Sequence, residues 1–302
     1  MKTGEIVRYA GGLLGFVDVL GWQKWFGAVV LGFAFALNLN NNFSLLQFQG
    51  LVIGTPLILC YNQSVNDCFD VEIDEIKAKL MGKELIVPKT ISRKTALTIT
   101  FSLLLVGLVS TLVASVSLFA LNLAAAFLGT LYSVPPFRLK MKYPFSTLIQ
   151  FAGCFLPFLA GVASIGTVTL QTIVISSIFA VLAMIHRFAH EIKHYKVDLA
   201  TGKGTVAVTK GLKTATTFFR LSALVGVVEF AFFFALGWFD AVILFLFILY
   251  LALTIAPSFW LRHMPAPVKT IFNPIIMLSS YVLLFTVLLL YNKSAFDLVM
   301  FF

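Results

Sequence analysis

Residues 45–74 read LLQFQGLVIGTPLILCYNQSVNDCFDVEID. The stretch 45–64 is mostly apolar and about 20 residues long, the length that crosses a bilayer as a helix. It does not end in an ordinary polar loop. Asn62, Asn66, Asp70 and Asp74 follow at steps of four. Each such step turns about 400° in a helix, so a helix carried through the motif presents them as one slowly drifting stripe, with Asp67 beside it. Asp67, Asp70, Glu72, Asp74 and Glu75 all fall within nine residues. Carboxylates crowded on one face repel each other unless a cation sits among them. Hard oxygen donors of this kind suit Mg²⁺, which keeps waters and binds substrate phosphates as well. Polar side chains on a membrane helix are costly and mark function.

The rest of the chain has the same character. It has 302 residues, 60% of them hydrophobic and 12% charged, with 32 Phe. Soluble domains average about 25% charged residues, so this chain needs lipid as part of its solvent. Runs of membrane-spanning length predict nine helices, near 22–38, 45–64, 95–113, 116–133, 146–164, 169–188, 216–236, 240–260 and 271–291. The expectation is therefore an all-α, polytopic membrane protein forming a single domain over 1–302. The first apolar stretch lacks a cleavage pattern and reads as a retained span. Cys60, Cys68 and Cys154 form no CxxC pair and predict neither a disulfide framework nor a zinc site.

Net charge is +9. The basic residues lie between apolar runs, so membrane topology explains them and nucleic acid is not an expected partner. Lys77, Lys79, Lys83, Lys89, Arg93 and Lys94 follow the second span. Arg138, Lys140 and Lys142 follow the fourth, and Lys193, Lys196, Lys203, Lys210 and Lys213 the sixth. Arg262 and Lys269 follow the eighth, whereas 39–44, 114–115, 165–168 and 237–239 carry no charge. The positive-inside rule puts the N-terminus and the charged loops in the cytoplasm and the C-terminus outside.

A second acidic cluster, HRFAHEIKHYKVDLATGKGT at 186–205, lies on the same predicted side. Glu191, His194 and Asp198 repeat the i, i+3, i+7 spacing of Asp67, Asp70 and Asp74. Two such helices facing each other could hold Mg²⁺ and a diphosphate between them. Arg138 and Lys140, in YSVPPFRLK at 132–140, could contact phosphate oxygens, as could Lys193 or Lys203. Pro135 and Pro136 break the helix after Tyr132, which sets that ring near a cavity mouth.

These segments resemble the UbiA superfamily of intramembrane prenyltransferases. Its NDxxDxxxD motif is matched by Asn66, Asp67, Asp70 and Asp74. Its YSxPPxRLK segment is matched by Tyr132, Ser133, Pro135, Pro136, Arg138, Leu139 and Lys140. Its second motif is matched by Glu191, Asp198, Gly202 and Thr205, with His194 where the family usually has Asp. Imidazole is a poorer Mg²⁺ ligand than oxygen. Many members also carry an Arg-Pro pair after the first motif; here KELIVPKTISRK places Glu84 near the expected Arg, with Lys83 or Lys89 as substitutes.

The resemblance implies a helical bundle around a central cavity and Mg²⁺-dependent transfer of a polyprenyl group, such as geranylgeranyl, from its diphosphate to a hydrophobic or aromatic acceptor. It implies that Asn66, Asp70 and Asp74 form the metal–diphosphate shell with Asp67 in support, and that Glu191 and Asp198 serve a second metal cluster. Arg138, Lys140 and Lys193 would hold diphosphate, and the Tyr132 ring face would steady an allylic cation. An aromatic quinone precursor, a glycerol-phosphate lipid, a chlorophyllide-like ring and haem are the candidate acceptors, with a lipid or quinone precursor favoured. The competing class is a transporter or lipid-binding protein, suggested by the intramembrane Glu229.

Overall fold

The computed structural model describes residues 23–39, 42–81, 92–238 and 245, and every regular element among them is helical. The chain divides into two compact units, Met1–Phe219 and Arg220–Phe302. In the first, α1 spans Gln23–Leu39. Helix α2 spans Leu45–Phe69, with a π-helical turn at Gly50–Gly54. Helix α3 spans Val71–Met81, α4 Arg93–Ala114 and α5 Val116–Ser133. A 3₁₀ turn at Leu139–Met141 leads to α6, Phe145–Ile165. Helix α7 spans Leu170–Lys193, and α8 and α9 are the short helices Tyr195–Ala200 and Val206–Lys210. Helix α10, Leu212–Ala235, begins in the first unit and continues into the second.

Six of these helices (α2, α4, α5, α6, α7 and α10) are long and apolar enough to cross a membrane. They coincide with the second to seventh expected spans. The first expected span is the 17-residue helix α1. The eighth, apart from residue 245, and the ninth lie outside the described residues, as do Lys83, Glu84 and Lys89.

Helix α6 is the centre of the first unit. Pro157 to Ile165 are buried without a break, the signature of a helix apolar on all sides and surrounded by protein. Its partner α1 crosses it backbone to backbone. A Cβ on Gly32 would lie 1.9 Å from the Phe158 carbonyl oxygen, and one on Gly161 would lie 1.9 Å from that of Val29. Lipid tails are as apolar as side chains, so close backbone contact and interhelical hydrogen bonds hold such helices together. The outer helix α4 turns Phe101, Leu105, Val109 and Val113 outward, a face suited to lipid.

Helices α2 and α5 are joined by polar contacts that climb toward the motif. Asn122 Nδ2 donates to Thr55 Oγ1 at 3.3 Å, and Tyr61 Oη and Thr130 Oγ1 are 2.6 Å apart. Near the end, Ser133 Oγ donates to Asn66 Oδ1 at 3.2 Å. Such bonds contribute about 0.6–2 kcal/mol each in a membrane. They also fix the rotation of α2, and so decide where Asn66 and Asp70 point.

In the second unit, α10 ends at Ala235, and Gly237 in the turn beyond it has a φ of 71°, the left-handed conformation glycine adopts without strain. Trp238 then folds back to stack on Phe233. Glu229 lies on this helix.

Candidate active site

The helix carrying the first motif does not run through it. Helix α2 stops at Phe69, Asp70 adopts φ −108°, ψ 9°, and α3 restarts at Val71. Arg138 explains the break: its Nη2 donates to the Phe69 carbonyl oxygen at 2.9 Å, satisfying an acceptor released where the helix ends. The stripe expected from an unbroken helix is therefore bent at Asp70. The second motif bends at the matching place. Helix α7 stops at Lys193, His194 adopts φ −100°, ψ 14°, and α8 restarts at Tyr195. The middle residue of each triad is thus the hinge between two helices, and α3 packs against α8. That contact brings the elements carrying Asp74 and Asp198 together.

Asp70 is the electrostatic centre. It is 1% exposed. Lys140 Nζ lies 2.6 Å from its Oδ1 and Arg138 Nη2 3.4 Å from the same oxygen. Lys140 also donates to Asn66 Oδ1 at 2.8 Å. The PPFRLK turn is shaped to deliver these cations. Arg138 has φ 41°, ψ 49°, a left-handed conformation that disfavours a side chain by about 1–2 kcal/mol and that clusters at functional sites. Burial pushes the Lys140 ammonium below the ordinary lysine value of 10.5. Asp70 opposes that shift, and the neighbouring Arg138 and Lys203 add to it. Lys203, from the loop after α8, is therefore within electrostatic reach of the first motif.

That loop is seated on the 3₁₀ turn. Gly204 lies so close that a Cβ would come within 2.4 Å of the Met141 carbonyl oxygen. Ser146 Oγ donates to the Gly204 carbonyl oxygen at 2.8 Å. Gly202, at φ 67°, makes the turn before it. Three segments far apart in sequence (66–74, 132–142 and 198–206) thus meet at one end of the first unit.

The remaining candidates have distinct surroundings. Asp67 Oδ1 accepts from Gln63 Nε2 at 3.2 Å. Asp198 is buried, His194 half-buried and stacked against His190, and Lys193 exposed. Asn62 packs against α5 where Gly129 leaves room for its amide. Tyr132 is within electrostatic reach of Arg187, Asp70 and Glu191. Glu191, expected among the metal ligands, is hydrogen-bonded through one carboxylate oxygen and has an ion-pair contact, without a hydrogen bond, at the other. Oε2 accepts from the backbone N–H of Val206 at 2.9 Å and Ala207 at 3.4 Å, and Oε1 lies 2.8 Å from Arg187 Nε. Arg187 Nη1 also donates to Gln150 Oε1. Neither Arg187 nor Gln150 stands out in the sequence: Arg187 is one of several mixed charges in the second cluster, and Gln150 is an amide near the start of a mostly apolar helix. The one available signal is the i, i+4 spacing of Arg187 and Glu191.

Among the described residues, no three His, Cys, Asp or Glu side chains converge as a preformed metal cage would need. Mg²⁺ does not require one: it is held by one or two carboxylates together with substrate phosphates and water. Asp70, Asp74 and Asp198 on packed elements, with Lys140 and Arg138 alongside, have the hard-oxygen and cationic chemistry for that arrangement.

Residues 26–272 match the family model described as the UbiA prenyltransferase family. The chain belongs to the UbiA prenyltransferase family. With six apolar helices of spanning length among its described residues, this UbiA-family chain is a multi-pass integral membrane protein. It is similar to chlorophyll synthase, chloroplastic, from Oryza sativa subsp. japonica, with 27% identity over 175 residues, 55% of this chain and 45% of that one. The Arabidopsis thaliana chlorophyll synthase is 27% identical over 173 residues, 55% of this chain and 44% of that one. The chain thus spans somewhat less than half the length of these curated relatives. Its fold resembles a UbiA homolog from Archaeoglobus fulgidus bound to DMAPP and Mg²⁺. The TM-score is 0.70 at 19% identity, covering 91% of this chain and 98% of that one. The same homolog bound to GPP and Mg²⁺ gives a TM-score of 0.70 at 20% identity, covering 93% and 99%.

Proposed function

We propose that this UbiA-family chain transfers a polyprenyl group from its diphosphate to a hydrophobic or aromatic acceptor within the membrane, with Mg²⁺ as cofactor. The single observation that carries the reading is the buried Asp70 held by Lys140, Arg138 and the Asn66 neighbourhood where the motif segments meet. A buried acid beside two cations in a UbiA-family chain is suited to a charged, metal-bridged diphosphate. Asp70, Asp74 and Asp198 would hold Mg²⁺, with Asn66 and Asp67 next to them. Bound there, Mg²⁺ would neutralise the charge that builds on the leaving diphosphate.

Each side chain then has a role. Lys140 and Arg138 turn from Asp70 to phosphate oxygens, and Lys203 and Lys193 approach from the second motif. These cations stabilise the leaving group as the allylic C–O bond breaks. The Tyr132 ring offers a π-face to the allylic cation. The apolar helices exclude water from a central cavity that receives the prenyl tail, so that the acceptor captures the cation before water does. His194 is a hinge residue of the second motif and is not required as a metal ligand. The whole of 1–302 acts as one domain of nine spans, with the N-terminus and motif loops in the cytoplasm and the C-terminus outside.

A lipid or quinone-precursor acceptor is the first reading. The likeness to two chlorophyll synthases supports a second reading, a chlorophyllide-like ring. Purified protein in lipid, given geranylgeranyl diphosphate, Mg²⁺ and a panel of an aromatic quinone precursor, a prenylglyceryl phosphate and a chlorophyllide, should yield one prenylated product by mass spectrometry. Absence of product and of diphosphate release with every acceptor would instead favour a transporter or lipid-binding role.

A further inference from the structure

The two motifs share more than spacing. In each, the first acid lies one turn after a nitrogen donor on the same helix: Gln63 donates to Asp67, and Arg187 faces Glu191. In each, the second residue is the hinge, Asp70 or His194, with closely similar backbone angles. The third acid, Asp74 or Asp198, follows on the short helix beyond the hinge. The first position is therefore the one that the fold ties to its own helix.

At Glu191 this tie is tightest. The Arg187 and Glu191 side chains are 8% and 3% exposed, and their charged atoms lie 2.8 Å apart. The other carboxylate oxygen receives the first two N–H groups of α9. A helix N-terminus leaves such donors unsatisfied, and a carboxylate there is favoured by the helix dipole. Helix α9 follows Lys203 and Gly204 after its cap residue Thr205, so Glu191 holds the end of the loop that is seated against Met141. On its other side Arg187 donates to Gln150 on α6, and it lies within electrostatic reach of Tyr132 on α5.

We infer that Glu191 is a positioning residue and not a metal ligand: with Arg187 it forms a buried ion pair that fixes the Lys203 loop on one side and is tied to Gln150 of α6 on the other. The inference deepens the prenyl-transfer reading and rests on it for the role of Lys203. A metal ion at Glu191 would have to compete with a guanidinium that already offsets the carboxylate charge and with two backbone amides on Oε2. Removing one member of a buried pair leaves the other charge unpaired, whereas replacing both is far less harmful. The pair therefore has a signature that a metal ligand lacks.

The test uses full-length protein in detergent with Mn²⁺ as a spectroscopic substitute for Mg²⁺ and inorganic pyrophosphate as the probe. Glu191→Gln should bind Mn²⁺–pyrophosphate within about twofold of the parent by electron paramagnetic resonance. Asp70→Asn should weaken it by about tenfold or more, as loss of a metal-site group does. In the same protein, kcat for prenyl transfer should fall in Glu191→Gln while the Mg²⁺ half-saturation stays put. Thermal unfolding of Arg187→Met, Glu191→Gln and the double variant should show coupling, the double variant being more stable than Arg187→Met alone. Loss of Mn²⁺ affinity in Glu191→Gln comparable with that in Asp70→Asn would overturn the inference, as would purely additive stability effects. If Asp70→Asn also leaves Mn²⁺–pyrophosphate binding unchanged, the metal–diphosphate reading fails, and the stability coupling still decides whether the pair positions α9.

Discussion

Lys140→Met removes one charge from the most buried part of the site while keeping most of the apolar stem. The side chains of Lys140 and Asp70 are each 2% exposed, with Nζ and Oδ1 2.6 Å apart. Breaking a buried pair by deleting one partner costs about 3–5 kcal/mol, because the remaining charge stays desolvated. Arg138 remains 3.4 Å from the same carboxylate oxygen and offsets part of that. The expected net loss is about 2–4 kcal/mol. At roughly 2–4 °C per kcal/mol for a chain of this size, the thermal midpoint should fall by about 5–15 °C, followed by fluorescence in detergent. The double variant Lys140→Met with Asp70→Asn neutralises both sides and should recover most of the loss. A Lys140→Met midpoint within about 1 °C of the parent, well below the expected shift, would refute the pair as an internal counter-charge. So would a double variant no more stable than the single one.

Other consequences concern pH and packing. The folded Lys140 value lies below 10.5, so between the two the unfolded chain holds more protons, and this group's contribution to stability rises with pH up to 10.5. Diphosphate binding should fall across the same window as the ammonium is lost, so KM for prenyl diphosphate should rise below pH 10.5, and Lys140→Arg should move that rise to higher pH; identical KM profiles would exclude Lys140 as the titrating contact. Gly204→Ala puts a Cβ 2.4 Å from the Met141 carbonyl oxygen. The Lys203 loop must then move, and because a displacement of about 1 Å can lower turnover by roughly 100-fold, kcat/KM should drop at least about tenfold; an unchanged value would mean that the loop's seat does not matter. Gly161→Val forces α1 away from α6, where a Cβ already meets Val29 O at 1.9 Å, and folded yield by size exclusion should collapse; a normal monodisperse yield would contradict the close crossing.

Much of this was legible in the residues. Apolar runs locate the described spanning helices because lipid forces each to satisfy its own backbone hydrogen bonds, so length and hydropathy carry most of the information. Asn66, Asp70, Arg138 and Lys140 stand out because charged or amide side chains beside an apolar run need a reason. The hinge at Asp70 does not show in a periodic pattern, since it depends on Arg138, 68 residues away in sequence, reaching Phe69 O. The employment of Glu191 is hidden for the same reason: its partners include backbone amides of residues 206 and 207, and a backbone donor leaves no mark on sequence. Arg187 and Gln150 gain significance only from tertiary contact, and Gly204 only from what its missing Cβ avoids.

Diphosphate release from geranylgeranyl diphosphate, titrated with Mg²⁺ in the parent and in Asp70→Ala, addresses the proposed chemistry most directly. With an accepted acceptor present, the parent should release diphosphate in a saturable, Mg²⁺-dependent manner, and Asp70→Ala should release none while still eluting as a folded, monodisperse protein. Full Mg²⁺-dependent release by Asp70→Ala would contradict the assignment of this site.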